Sequence, residues 1–209
     1  MTPRTKEQNE DIRLRRLAQI RKAAADVFLN KGPLLEIRDV AAEAGLGYGT
    51  VYHYYSNKGD LLHDLLWDAL DRAGEWLKPP PDVLLAGPLK VGLSLSPAAA
   101  AGIRLLQLWA EDHAMYLLYK QAGEGFAMLP EARSAPLLAE FRREVLTPLS
   151  AMLDPSLAAD RAAVTAANAA EPVHHTEMLL AALAGCASLS LRRGQLFDEA
   201  RDIVRVLKL

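Results

Sequence analysis

The 209-residue sequence contains a single cysteine, Cys186, which excludes a disulfide framework and a zinc site built on cysteine ligands. The first ten residues contain no apolar run of the kind that forms a secretion signal. The stretch with the fewest charges, residues 83–110, is interrupted by prolines, a lysine and an arginine, so it does not resemble a membrane span. These absences favour a soluble protein of the reducing cytoplasm with no membrane partner.

Strand patterns are also nearly absent, since β-branched and polar residues nowhere alternate over a sustained stretch. Helical periodicity is strong instead. In the first segment one face carries Leu14, Leu17, Ile20, Ala24, Val27 and Phe28, and the pattern ends at residues 30–33. Further helices are predicted at about 37–44, 48–54, 58–77, 82–95, 97–122, 134–153, 173–192 and 196–208, with 155–171 either a short helix or a loop. The sequence therefore predicts an all-α fold.

Sequence signatures of catalysis are missing. No Gly-x-Ser-x-Gly, His-Glu-x-x-His or Walker motif occurs, so no catalytic residue is predicted and an enzyme is not expected. His174 and His175, followed by Glu177, do not predict a metal site, because adjacent histidines on a helix point in different directions. The sequence predicts neither a metal nor a cofactor.

The positive charge of the chain lies towards its N-terminus. Residues 1–60 contain ten Lys or Arg and eight Asp or Glu, whereas residues 61–209 contain fourteen and eighteen. The asymmetry is modest, but it has the direction that a phosphate-facing N-terminal domain requires.

A helix-turn-helix unit is indicated by the helix predicted at 37–44, the turn at 45–47 and the helix at 48–54. Gly45 permits the sharp reversal between the helices, and the second helix is too short and polar for a core element. Its Thr50, Tyr52 and His53 offer hydroxyl and ring N–H donors for phosphate oxygens. A packing module without DNA is the alternative. A nucleotide-binding glycine loop is excluded, because the glycines follow a helix and lack the required pattern.

Four motifs occur in order and at the spacing of one known family. They are Phe28 with Gly32, Val40-Ala41-Ala42-Glu43-Ala44-Gly45, Gly49-Thr50-Val51-Tyr52-His53-Tyr54-Tyr55, and Lys58-Gly59-Asp60-Leu61-Leu62. The region resembles the DNA-binding head of the TetR (tetracycline-repressor-like) family. The resemblance implies a three-helix head over residues 1–60 and a larger helical ligand-binding and dimerisation domain over 61–209. It also implies a ligand-responsive regulator of double-stranded operator DNA, with repression as the family default.

By that resemblance, hydroxyl, ring and lysine groups meet the DNA backbone, and the start of the second helix lies near the major groove. The predicted DNA-binding residues are Arg38, Gly47, Tyr48, Gly49, Thr50, Tyr52, His53 and Lys58. Three positions depart from the family pattern: Glu36 replaces a common Ser or Thr, Gly47-Tyr48 replaces Ser and a basic residue, and Tyr55 replaces Phe. Tyr48 is compatible with contact to a thymine methyl or with stacking on the backbone.

The rest of the chain predicts a dimer and a pocket. Between residues 177 and 191 leucines alternate with small residues, which suits a homodimer through the last two long helices or a core helix within one subunit. The candidate pocket residues for a mainly apolar effector are aromatic and polar residues of the middle helices: Trp67, Trp109, His113, Tyr116, Tyr119, Phe126 and Met128. Trp109, His113 and Tyr116 share one helical face at spacings i, i+4 and i+7. A core stripe is the alternative, and an all-α binding protein or enzyme with a vestigial head is the competing function.

Overall fold

The computed structural model describes residues 6–78, 96–153 and 170–209, although only the backbone of residues 170–173. The helix predicted over 82–95 and nearly all of the segment 155–171 lie outside these ranges. Within them the regular elements are helical, which confirms the predicted all-α fold. None of the described helices is both long enough and apolar enough to cross a membrane.

The helices follow one another with short connections. They are α1 (Lys6–Lys31), α2 (Ile37–Glu43), α3 (Tyr48–Tyr54), α4 (Lys58–Leu77), α5 (Pro97–Glu111), α6 (His113–Gly123), α7 (Glu131–Phe141), α8 (Thr147–Leu153), α9 (Ala170–Arg192) and α10 (Leu196–Val206). A 3₁₀ turn, Gly32–Leu34, follows α1, and a π-helical turn, Arg142–Leu146, joins α7 to α8. The chain divides into two compact units, Met1–Leu66 and Trp67–Leu209, and the division falls inside α4.

The first unit is built on contacts of α2 with both α1 and α3. Ile20, Val40 and Val51 have no exposed surface and form the centre of its core, one from each of the three helices. Burial of such aliphatic side chains stabilises a domain by about 1.5–3 kcal/mol each. The predicted apolar stripe of α1 is buried from Ile20 onwards, whereas Leu14 is 52% exposed. The N-terminal part of α1 therefore contributes little to this core.

The turn between α2 and α3 depends on Gly45, whose φ of 62° lies in the left-handed region. A Cβ at this φ is strained, so glycine is the residue that ends α2 at low energy. The backbone N–H of Leu46 donates to the carbonyl of Ala41 over 2.9 Å, which closes the last turn of the helix. Gly47 then returns to extended backbone, and α3 begins at Tyr48.

The start of α4 is fixed by Asn57. Its side-chain oxygen accepts from the backbone N–H of Asp60 over 2.9 Å, and its amide donates to the Asp60 carboxylate over 2.8 Å. Asn is among the preferred residues at a helix N-cap because its oxygen satisfies an N–H that has no partner within the helix. Residues 56–58 therefore form a capping structure that places Lys58 in the first turn of α4.

A single helix predicted over 97–122 is wrong, because the chain breaks at Asp112 into α5 and α6. The Asp112 carboxylate accepts from the backbone N–H groups of Ala114 and Met115, at 3.0 and 3.3 Å, and so caps α6. The same carboxylate forms an ion pair with Arg72 of α4. Capping by Asp stabilises a new helix start by about 1 kcal/mol, which offsets part of the loss of a continuous helix.

The second unit is held together by α5 against α10 and by α9 against α6 and α8. Gly102 allows the first of these contacts, since a Cβ built there would lie 3.2 Å from a methyl carbon of Val204. The π-helical turn follows α7, which itself contains Pro136. At its end the Thr147 hydroxyl donates to the carbonyl of Arg142 over 2.9 Å. The helix predicted over 134–153 is thus a helix with a widened turn inside it.

Candidate nucleic-acid interface

The predicted DNA-binding residues form one exposed set on the first unit. Each of the eight is exposed: Arg38, Gly47, Tyr48, Gly49, Thr50, Tyr52, His53 and Lys58. Val51 is the buried residue of α3 and anchors the helix on the unit's core. A seven-residue helix held by one buried side chain leaves its polar groups available to another molecule, so this surface is a candidate interface.

Two aromatic rings dominate the exposed face of α3. Tyr48 and Tyr52, one helical turn apart, meet edge to face with ring centroids 4.6 Å apart. The side-chain hydrogen bond to Tyr52 is the main reason why the pKa of Tyr48 lies above its ordinary value, so the Tyr48 phenol remains protonated near neutral pH. The start of the helix therefore presents an apolar ring surface with hydroxyl groups at its margin.

The cations beside α3 already have partners within the first unit. The Nε of Arg38 lies 2.9 Å from the Glu36 carboxylate, and the Nζ of Lys58 donates to the carbonyl of Pro33 over 2.9 Å. Glu36, the acidic departure from the family pattern, precedes α2 and is thus paired with a cation in the first turn of that helix. Each cation keeps further N–H donors for a phosphate, because guanidinium has five and ammonium three.

Helix α2 is also tied to the end of α1. Lys31 forms an ion pair of 2.6 Å with Asp39, and the backbone N–H of Glu36 donates to the same carboxyl group over 3.2 Å. The bond to Lys31 is the main reason why the pKa of Asp39 lies below its ordinary 3.8. These contacts fix the first turn of α2, and with it the position of Arg38.

Tyr55, the residue directly after α3, has a partner that the sequence did not reveal. Its hydroxyl donates to the Asp64 carboxylate over 2.5 Å, and the Nε of Arg21 lies 2.9 Å from the same oxygen. Tyr55 is 5% exposed, and burial is the main cause that raises its pKa, followed by the bond to Asp64. This cluster, Arg21–Asp64–Tyr55, joins α1, the end of α3 and α4 through one carboxylate.

The candidate effector residues lie in different surroundings. Trp109 and Tyr116 are 0% and 1% exposed, with ring centroids 5.9 Å apart. The prediction that His113 shares one helical face with them is wrong, because the break at Asp112 separates Trp109 from the other two. Trp67 and His113 are half-buried. Trp109 and Tyr116 meet as core residues of two helices.

Two cavities of the second unit lie beside α6 and α9. One of about 360 Å³ also reaches α7 and the π-helical turn, and the other, of about 320 Å³, lies along α6 and α9 alone. Among the candidate effector residues, Tyr116 lines the second of these two cavities. Tyr119, another of the aromatic candidates, lines both.

Comparisons with known proteins address both units. Residues 20–65, which include α2, α3 and the start of α4, match the model for bacterial regulatory proteins of the tetR family. No curated protein sequence matches the chain. Solved structures match over nearly the whole chain.

The fatty acid degradation regulator FadR from Bacillus halodurans is 16% identical, with a TM-score of 0.55 over 91% of this chain and 96% of that one. FadR from Bacillus subtilis, solved in complex with stearoyl-CoA, is 17% identical, with a TM-score of 0.53 over 91% and 96%. A gamma-butyrolactone receptor described as ArpA-like is 18% identical, with a TM-score of 0.53 over 94% and 98%. These similarities show a common fold.

Proposed function

We infer that this chain is a transcriptional regulator of the tetR family that binds operator DNA and responds to a small molecule. The observation that carries the inference is the coincidence of two features in the first unit. The family match covers the helix-turn-helix, and the same helices expose every residue predicted to contact DNA. A helix-turn-helix presents its second helix to the major groove, which assigns that role to α3.

Roles on the DNA follow from the chemistry of the exposed groups. Thr50, Tyr52 and His53 offer hydroxyl and ring donors to phosphate oxygens, while Lys58 adds a cation at the start of α4. Arg38 supplies the remaining charged contact. The glycines 47 and 49 let the backbone approach the groove, and the Tyr48 ring provides apolar contact with base edges, for which a thymine methyl is the complement.

The regulator is proposed to act as a homodimer through α9 and α10. Large apolar side chains are exposed on both helices, with Met178 at 60% and Leu189 at 68% on α9, and Phe197 at 47% and Val206 at 75% on α10. Small exposed residues between them, such as Gly185, allow a second helix to approach closely. Two heads related by a two-fold axis would read half-sites about 34–36 Å apart.

The effector is proposed to be a small, mainly apolar molecule that binds the second unit and releases the operator, which makes the protein a repressor. One structural neighbour, FadR of Bacillus subtilis, was solved with stearoyl-CoA, which supports a ligand-binding role for this fold. Release requires a difference in effector affinity between the DNA-binding and the free states of a few kcal/mol. Catalysis is not proposed, and the expected location is the cytoplasm.

DNA binding is tested with fluorescence anisotropy on a labelled duplex from the region flanking the gene. The unlabelled protein should bind it specifically, and the double variant Tyr52→Phe, Lys58→Ala should lose at least about a hundredfold in affinity, since two phosphate contacts per subunit disappear. Ala18→Glu serves as the matched control, because Ala18 is exposed on α1 and outside the predicted interface.

The single variants separate charge from hydroxyl chemistry. Lys58→Ala should reduce the slope of log K against log salt by about one for each subunit, whereas Tyr52→Phe should leave that slope unchanged. A folded protein that binds no duplex even at low salt would contradict the proposal. That outcome would favour the small-molecule-binding protein with a vestigial head.

A further inference from the structure

The larger cavity of the second unit adjoins a buried phenol without a hydrogen-bond partner. Tyr119 lines this cavity and is 3% exposed, and its hydroxyl has no hydrogen-bond partner within the described part of the chain. The indole Nε1 of Trp109, whose ring centroid lies 5.2 Å from that of Tyr119, is buried and unpartnered in the same sense. Two polar groups have thus been removed from water in one aromatic cluster.

Such groups need an explanation, because most buried polar atoms of folded proteins are hydrogen-bonded. Tyr116, three residues earlier on α6, shows the ordinary case: its hydroxyl donates to the carbonyl of Ala184 over 3.4 Å. The difference between two tyrosines of one helix indicates that Tyr119 is not simply a satisfied core residue. Phenylalanine would fill the same space without an unpaired hydroxyl. A tyrosine is therefore expected at this position if a bound molecule forms the missing hydrogen bond.

The chemistry of the two groups selects the kind of molecule. An indole N–H can only donate, and a phenol beside it supplies a second donor. Burial raises the pKa of Tyr119 well above its ordinary value, so the hydroxyl keeps its proton. A molecule that satisfies either group must therefore bring a hydrogen-bond acceptor to the aromatic end of the cavity.

The remaining lining determines the rest of the molecule. Phe141, Leu146 and Leu180 line the cavity with apolar surface. The two charged groups that line it, Glu177 and Arg142, are already paired, since the Glu177 carboxylate lies 3.7 Å from Arg142. The Nδ1 of His174 lies 3.8 Å from the same carboxylate. No isolated charge among these described groups calls for an ionic partner, so an uncharged molecule fits best.

We propose that this cavity binds a neutral, mainly apolar molecule through a carbonyl or ether oxygen that accepts a hydrogen bond from Tyr119. The proposal rests on the proposed function, of which it specifies the effector site and the chemical class. It places the effector between α6, α7 and α9, so Trp109 becomes the neighbour of the site and Tyr119 its polar contact.

Acetophenone and ethylbenzene test this proposal as a matched pair, because they have similar shapes and only the ketone carries an acceptor. Binding to the full chain is followed by the fluorescence of Trp109, after Trp67→Phe and Trp76→Phe have removed the other two tryptophans. The ketone should bind about tenfold more tightly than the hydrocarbon, which corresponds to about 1.4 kcal/mol. Tyr119→Phe should bring this ratio to about one.

Tyr116→Phe is the control, because it removes a hydroxyl that already has a partner and should leave the ratio unchanged. The melting temperature gives a readout that does not need the probes. It should stay the same or rise in Tyr119→Phe, which loses an unpaired group, and fall in Tyr116→Phe. Equal affinity of the two probes for the unmodified site, or a preference that survives Tyr119→Phe, would overturn the proposal.

Failure of acetophenone to bind at up to about 5 mM would overturn it as well, since a molecule of this size in a matching site reaches millimolar affinity. The same preparations are titrated with the operator duplex without probe. Normal DNA binding without ketone selectivity would reject the proposed effector site alone. Ketone selectivity without DNA binding would instead reject the regulatory function and leave the cavity assignment intact.

Discussion

The two helices that carry the candidate sites, α3 and α6, lie in opposite environments. In α3 a single residue, Val51, is buried, whereas α6 buries seven of its eleven residues. The polar groups of α3 stay hydrated until another molecule displaces the water, so they add little desolvation free energy to the free protein. The Tyr119 hydroxyl of α6 loses its hydration when the chain folds, and this cost is present in every free molecule. A polar group without a hydrogen-bond partner therefore indicates a ligand more strongly when it is buried than when it is exposed to water.

The largest expected effect compares one aromatic residue from each environment. Trp109→Ala should lower the free energy of unfolding of the second unit by about 3–5 kcal/mol, because it leaves a large cavity in a filled core. Tyr48→Ala, at a side chain that is 54% exposed, should change it by less than about 0.5 kcal/mol. Urea unfolding of both variants measures this difference. Similar losses of unfolding free energy in the two variants would show that burial does not distinguish these residues.

A smaller effect is expected where the first unit itself buries a polar group. Tyr55→Phe should lower the free energy of unfolding by about 1–2 kcal/mol, because the Asp64 carboxylate loses a buried donor but keeps Arg21. Tyr54→Phe, at the half-buried neighbouring tyrosine, is the matched control and should cost less than about 0.5 kcal/mol. If Tyr55→Phe were neutral, the Arg21–Asp64–Tyr55 cluster would not stabilise the unit.

The smallest effect concerns an ion pair at the surface. Because Lys31 lowers the pKa of Asp39, the pair stabilises the fold above the ordinary carboxyl pKa of 3.8 and is lost as pH falls through the lowered value. In an NMR titration the Asp39 carboxyl should therefore have its midpoint below 3.8, and Lys31→Met should move the midpoint upwards. A midpoint that the substitution does not change would show that Lys31 is not the cause.

Elements with strong local signals could be predicted from the sequence closely. The predicted helices over 48–54 and 58–77 agree with α3 and α4, because Gly45 and the Ser56–Lys58 turn mark their starts within a few residues. The break at Asp112 was missed, since the apolar period of 97–122 continues across it and a capping aspartate is also compatible with a surface position. At this position the helix cap formed by Asp112 determines where the helix breaks, although the apolar pattern is continuous.

The candidate sites also differ in whether local sequence or distant contacts determine them. Exposure of the predicted DNA-binding residues follows from a short, polar helix and needs no knowledge of distant contacts. The partners of Tyr55 could not be predicted, because Arg21 and Asp64 lie on other helices. Tyr119 could be predicted only as one aromatic pocket candidate among several, because a tyrosine at helical spacing among leucines also has the pattern of a core residue. Only the fold shows that its hydroxyl lacks a hydrogen-bond partner among the described residues.

The π-helical turn Arg142–Leu146 has a consequence for insertions and deletions in this protein. A π-helical turn accommodates one residue more than the α-helical ladder needs, while the helix on either side keeps its register. Loss of one residue within this turn should therefore restore a regular helix and leave Phe141 and Leu149 on their buried faces. The same deletion inside α7 or α8 would rotate every later residue by about 100°. Length variants at Arg142–Leu146 could thus reshape the cavity wall beside Arg142 while the rest of the second unit keeps its packing.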